Sequence, residues 1–151
     1  MARQKPARSA YNIRTMPLAA THCTPLLHVA DIETSIRFYE RLGFKVIDTD
    51  RCTPLGWARI HCEGGALMFL RAEHAIDPAK QAVSFCMYTP DLAAFCEQLK
   101  AEGVDVPPIS FPPYMRGGEV RLTDPDGYYI FVNHWDEKDQ KAWLERIHAG
   151  S

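Results

Sequence analysis

The sequence predicts an α+β fold made of two tandem β-α-β-β-β modules followed by a C-terminal helix. Three observations carry that prediction. Asp31 stands twelve residues before Gly43, and Asp91 stands twelve before Gly103, each interval reading as helix start, helix and glycine stop. Those two aspartates are sixty residues apart. Gly64 and Gly127, sixty-three residues apart, each open a further apolar strand. A unit recurring at this period is one supersecondary module made twice, and two such modules can enclose a cleft between them.

In the first module Cys23 to Val29 reads as a strand. Asp31 then caps a helix whose apolar positions, Ile32, Ile36, Tyr39 and Leu42, share one face. Gly43 stops it, because glycine accepts the left-handed conformation that closes a helix. Phe44 to Asp48 resumes an extended run, Trp57 to Cys62 is a third strand, Glu63-Gly64-Gly65 a turn and Ala66 to Arg71 a fourth strand. A charged linker with Pro78 spans Ala72 to Lys80.

The second module opens with the strand Ala82 to Tyr88. Thr89 reads as a helix cap with Pro90 at the first helical position, where its missing N–H costs nothing. Leu92, Phe95, Cys96 and Leu99 form the buried face, Gly103 ends the helix and Val104 to Val106 starts the next strand. A loop with Pro107, Pro108, Pro112 and Pro113 follows. Glu119 to Thr123 is a strand, Asp124-Pro-Asp-Gly127 a tight turn and Tyr128 to Asn133 the last strand. Asp136 to His148 reads as an amphipathic helix with Trp143, Leu144 and Ile147 on its apolar side. The chain thus divides into a tail (1–20), a domain (21–135, modules 22–71 and 82–135) and a C-terminal helix and tail (136–151).

Composition narrows the function classes. A formal charge of −2 argues against nucleic acid as a partner, since phosphate binding needs a basic face. No apolar run reaches the ~20 residues of a membrane span. The cysteines number five, odd, with no C-x-x-C pair, which suits reduced thiols in the cytoplasm. Arg3, Lys5, Arg8 and Arg14 precede the first acid, Asp31; this reads as a loose basic tail in preference to a transit peptide.

Three segments, Thr24-Pro-Leu-Leu-His-Val-Ala-Asp31, Ser35-Ile-Arg-Phe-Tyr-Glu-Arg-Leu-Gly-Phe44 and Gly118-Glu-Val-Arg-Leu-Thr-Asp-Pro-Asp-Gly127, resemble the vicinal oxygen chelate superfamily. That group includes glyoxalase I, bleomycin-resistance proteins, fosfomycin-resistance enzymes and extradiol dioxygenases. The resemblance implies paired modules whose curled mixed sheets enclose a cleft, within a homodimer. It also implies a divalent metal held by His, Gln and Glu side chains. Aligning the motifs puts those ligand positions at Thr24, Met68, Ser84 and Phe131, which obey the repeat offsets. Thr and Ser hydroxyls are weak ligands, Met is soft and Phe has no donor; the neighbours Leu67, Phe69, Val83 and Phe85 offer none either. The expectation is therefore no metal and no cofactor. The pattern is closest to the bleomycin-resistance branch, whose members sequester an aromatic, cationic or metal-bearing drug in a cleft at a dimer interface.

Side chains alternate faces along a strand, so the ligand positions mark the rest of the cleft. Thr24 brings His28, Phe131 brings Tyr129 and Asn133, and Met68 shares its face with Ala66 and Leu70. Trp57, Arg59 and His61 alternate with the apolar set Ala58, Ile60 and Cys62, and Glu119, Arg121 and Thr123 with Val120 and Leu122. The expected ligand-binding set is His28, Trp57, Arg59, His61, Met68, Tyr114, Arg121, Tyr129, Phe131 and Asn133, an aromatic and apolar wall with directing polar groups among it. Tyr114 would cap the mouth. Several of these positions have a plainer reading: His28 as a structural histidine, His61 as solvated, Trp57 as core, Met68 and Phe131 as cavity filling, and Arg121 with Glu119 as an exposed pair of little energetic weight.

The leading expectation is a metal-independent protein that binds a small organic molecule by aromatic stacking and cation–π contact. An acid–base lyase or isomerase using His28, His61 and Glu119 is the alternative. A non-catalytic module with a filled cavity is a third, and His22, His28 and His61 converging on zinc a fourth.

Overall fold

The structure is a computed structural model that describes residues 22–149; the basic tail, 1–20, lies outside the described residues. Module one runs β1 (Leu26–Val29), α1 (Ile32–Arg41), β2 (Lys45–Thr49), β3 (Trp57–Cys62) and β4 (Gly65–Arg71). A single 3-10 turn at Pro78–Lys80 interrupts the linker. Module two runs β5 (Ser84–Thr89), α2 (Leu92–Ala101), β6 (Glu119–Thr123) and β7 (Tyr129–His134), and α3 (Glu137–Ala149) follows.

The helices begin where carboxylates can accept their first free amides. Asp31 accepts from Thr34 N at 2.7 Å, and Asp91 accepts from Ala94 N at 3.0 Å. Caps of this kind contribute about 1 kcal/mol each. The second cap corrects the sequence reading: Thr89 closes β5, Pro90 lies in the bend between strand and helix, and the aspartate takes the capping role. Strand β1 is also shorter than expected. Pro25 has no N–H, though its carbonyl accepts from Met68 N at 2.9 Å, and the ladder starts after it.

The two sheets have the orders β1-β4-β3-β2 and β5-β7-β6. In each, the first strand lies parallel to the last, β1 to β4 and β5 to β7, and the remaining pairs are antiparallel. Module two is one strand short, because Val104–Val106 does not pair. Val104 N instead bonds Leu99 O at 2.9 Å, and Val104, Val106 and Ile109 pack on the core. Pro107 and Pro108 lack the N–H groups a strand needs there, and only an isolated bridge from Ser110 to Glu119 remains of the expected pairing.

Each helix covers one face of its own sheet. Val29, Ile32, Tyr39, Ala58 and Phe69 reach zero exposure in module one, as do Leu99 and Ile130 in module two. The opposite sheet faces stay open, and the sheets do not close on one another.

What joins the modules is a buried polar seam at the Asp124–Gly127 turn. Asp126 accepts from Ala30 N at 2.9 Å and from Ser35 Oγ at 3.3 Å. Asp124 accepts from Tyr39 OH at 3.0 Å and from the amides of Asp126 and Tyr128 at 2.9 and 2.8 Å. Tyr128 OH donates to His28 O at 2.9 Å. Both aspartates are only 4% exposed, so each bond replaces water that the groups have given up. The turn also needs glycine: Gly127 has φ +88, and a Cβ there would run into the backbone of Pro78.

Candidate functional site

Strand register sorts the expected site residues into rows on the two open faces. On the first sheet His28 and Trp57 both stand opposite Leu70, and Leu26 and Arg59 both stand opposite Met68. His61 stands opposite Ala66 and Lys45, at the far end of β3. Ala58, Ile60, Leu67 and Phe69 alternate with these and are buried, while Trp57, Arg59, His61 and Met68 are half-buried and His28 is exposed.

On the second sheet the rows are Ser84–Tyr129–Thr123, Cys86–Phe131–Arg121 and Tyr88–Asn133–Glu119. The Arg121 guanidinium lies 4.8 Å from the centre of the Tyr129 ring. Tyr114, 74% exposed, donates its hydroxyl to Glu119 Oε1 at 3.3 Å. Desolvation and then the neighbouring Glu119 charge raise the Tyr114 phenol above its ordinary range. Asn133 departs from its row-mates. It is 3% exposed, its amide nitrogen faces the carbonyls of Met87 and Phe131 at 3.5 and 3.4 Å, and its Oδ1 has no hydrogen-bond partner.

Each face therefore assembles its own share of the expected set, and no hydrogen bond, ion pair or ring contact joins the two faces among the described residues. Strand alternation was enough to find most of them. The same alternation carries Ser84 on to Cys86 and Tyr88, which the sequence reading left out. Lys45 and Asp48 on β2, opposite His61 and Arg59, were also missed, because a register shift between Val46 and Asp48 breaks the period.

Acid–base chemistry finds little support. Arg59 Nε donates to His61 Nε2 at 2.8 Å, which occupies the lone pair a general base would use. His28 and His61 are also separated along the sheet. Their rows meet β3 at Trp57 and His61, a gap of roughly 13 Å at the usual strand rise, so a zinc site of His22, His28 and His61 does not form.

The repeat offsets survive in three dimensions. Leu26 pairs Met68 as Cys86 pairs Phe131, which equates Met68 with Phe131. A thioether and a phenyl ring at these positions, with the hydroxyls of Thr24 and Ser84, do not fit a hard divalent ion. Among the described residues, the ligand atoms of His134, Asp136 and Asp139 lie within 4.8 Å of one another. There Asp136 already accepts the amides of Lys138 and Asp139 at 2.8 and 3.0 Å, as the cap of α3.

Comparison with known proteins bears on these faces. A sequence model of the glyoxalase/bleomycin resistance protein/dioxygenase superfamily matches residues 20–132. A bleomycin resistance protein from Klebsiella pneumoniae is 32% identical over 111 residues, covering 69% of this chain and 84% of its own. The crystal structure of a bleomycin-binding protein complexed with bleomycin is similar with a TM-score of 0.64 and 26% identity, covering 78% of this chain and 100% of that one. A bleomycin resistance determinant encoded on the transposon Tn5 gives 0.64 and 27%, covering 78% of this chain and 99% of its own.

Proposed function

Because the chain belongs to the glyoxalase/bleomycin resistance protein/dioxygenase superfamily, we propose that it is a metal-independent antibiotic-binding protein of the bleomycin-resistance type. It sequesters an aromatic or cationic small molecule and transforms nothing. The observation that carries this reading is the pair of open sheet faces, with Met68 and Phe131 at the equivalent positions and Trp57 and Tyr129 beside them. Such faces offer stacking surface and a few directing polar groups, the character of an organic-ligand site. Tyr114 caps the second face through Glu119.

A face open on one side is half a cleft, and a homodimer that sets one face against another completes it. The five unpaired cysteines suit a cytoplasmic location. The experiment is a calorimetric titration of the purified protein with metal-free bleomycin, with Trp57→Ala alongside. Saturable binding that weakens about tenfold or more in the variant supports the reading. Absence of binding to the unmodified protein, or a stoichiometric divalent ion whose removal abolishes binding, overturns it.

A further inference from the structure

We propose that α3 adds an aromatic cleft at the end of the second sheet, and that this cleft takes a planar organic cation. The proposal rests on the small-molecule-binding reading above. Tyr88, Trp135, Gln140 and Trp143 line a cleft of about 400 Å³, within the range of small-molecule sites. It continues the open face, because Tyr88 ends the row that holds Asn133 and Glu119. Asn133 Oδ1, buried without a hydrogen-bond partner, belongs to the same row.

The walls are held in place. The Tyr88 and Trp135 rings meet at 64° with centroids 5.6 Å apart. The Trp135 indole N–H donates to Gln140 Oε1 at 2.8 Å, fixing the ring against α3. Tyr88 and Trp143 remain 59% and 43% exposed, so π-faces are open to a ligand. The four lining side chains carry no charge, so the sign of the ligand's charge follows from the aromatic faces, with Asp136 next to Trp135 and Asp139 next to Gln140 in the chain. Aromatic faces attract cations through the ring quadrupole. The amide of Asp139 holds the Asp136 carboxyl below its ordinary range, so that it stays charged. A concave cleft walled by two elements suits a flat molecule better than a protein face does. Helix α3, Glu137–Ala149, lies beyond the residues 20–132 that the family model matches, and so do three of the four lining residues, Trp135, Gln140 and Trp143.

The test is binding of 9-aminoacridine, a cation at neutral pH, and of acridine, its neutral counterpart, to the full-length protein. The expected result is tighter binding of the cation, weakened about tenfold by Trp143→Ala and by Tyr88→Ala, with the preference for the cation lost in 1 M salt. Trp143→Leu keeps apolar bulk without the π-face and is expected to match Trp143→Ala, which separates lost stacking from lost folding. Equal affinities in the unmodified protein and the variants overturn the cleft. So does a change in oligomeric state on Trp143→Ala with probe binding intact, which would make the surface a contact between copies. If bleomycin binds through Trp57 and 9-aminoacridine ignores Trp143, the cleft alone falls. If 9-aminoacridine binds through Trp143 and bleomycin does not bind at all, the bleomycin-type reading alone falls.

Discussion

Asp126 in the second module receives the amide of Ala30 in the first, at 2.9 Å and across ninety-six residues of chain. Its other carboxylate oxygen receives the Ser35 hydroxyl at 3.3 Å. Ser35 is fully buried, so its hydroxyl has no water to turn to. Asp126→Ala leaves two donors without an acceptor and is expected to cost roughly 1–3 kcal/mol for each that water does not reach. Asp126→Asn keeps one acceptor and is expected to lose less. Urea unfolding of the three proteins checks this, and equal stabilities would mean that the seam does not hold the modules together.

The second seam carboxylate gives a pH signature. Burial raises the Asp124 carboxyl above its ordinary range of about 3.8, against the opposing pull of hydrogen bonds from Tyr128 and Tyr39. A carboxyl raised on folding contributes stability that is full below the unfolded value and lost as pH rises through the folded value. Asp124→Asn is neutral throughout. The stability of the unmodified protein relative to this variant is therefore expected to fall as pH rises from about 4 towards neutrality. Paired melts across that range measure it, and a flat difference would deny the burial effect.

Two glycines with similar backbone angles make a controlled pair. Gly43 has φ +97 with nothing within 4 Å of a built Cβ, whereas at Gly127, φ +88, a Cβ meets Pro78 backbone. Gly43→Ala is expected to cost about 1 kcal/mol, the conformational penalty alone. Gly127→Ala is expected to cost roughly 3 kcal/mol or more, because the linker must move. Calorimetric melting temperatures of the two variants test whether the linker is wedged against the turn.

On the second open face, Arg121 occupies the Tyr129 ring at 4.8 Å. If a cationic ligand is to stack there, the guanidinium is a competitor of the same charge. Arg121→Ala is expected to strengthen binding of a cationic ligand severalfold, the size of an exposed cation–π contact of about 0.5–1 kcal/mol. Weakened binding in a calorimetric titration would instead place an acidic group of the ligand on Arg121.

Much of this was legible in the sequence because local chemistry decides it. The strands Trp57–Cys62 and Glu119–Thr123 begin and end where the alternation does. The cap at Asp31 and the repeat offsets also emerge as read. Three further features were not legible. The lost strand after α2 depends on prolines whose cost is known only once a partner strand is sought. Asn133 shares a face with Phe131 yet is buried, since alternation gives the side of a sheet and says nothing of what covers it. The turn at Asp124 and Asp126 read only as a turn, because its partners, Tyr39, Ser35 and Ala30, lie 85 to 96 residues away.

The seam has a kinetic consequence. With the Asp124–Gly127 turn tied to α1 and to the end of β1, the relative placement of the two open faces is set before any ligand arrives. Ordering entropy is then already spent in folding, and a ligand meets a finished surface. Association would proceed in one phase, and relatives or variants that differ in affinity would differ chiefly in how long the ligand stays.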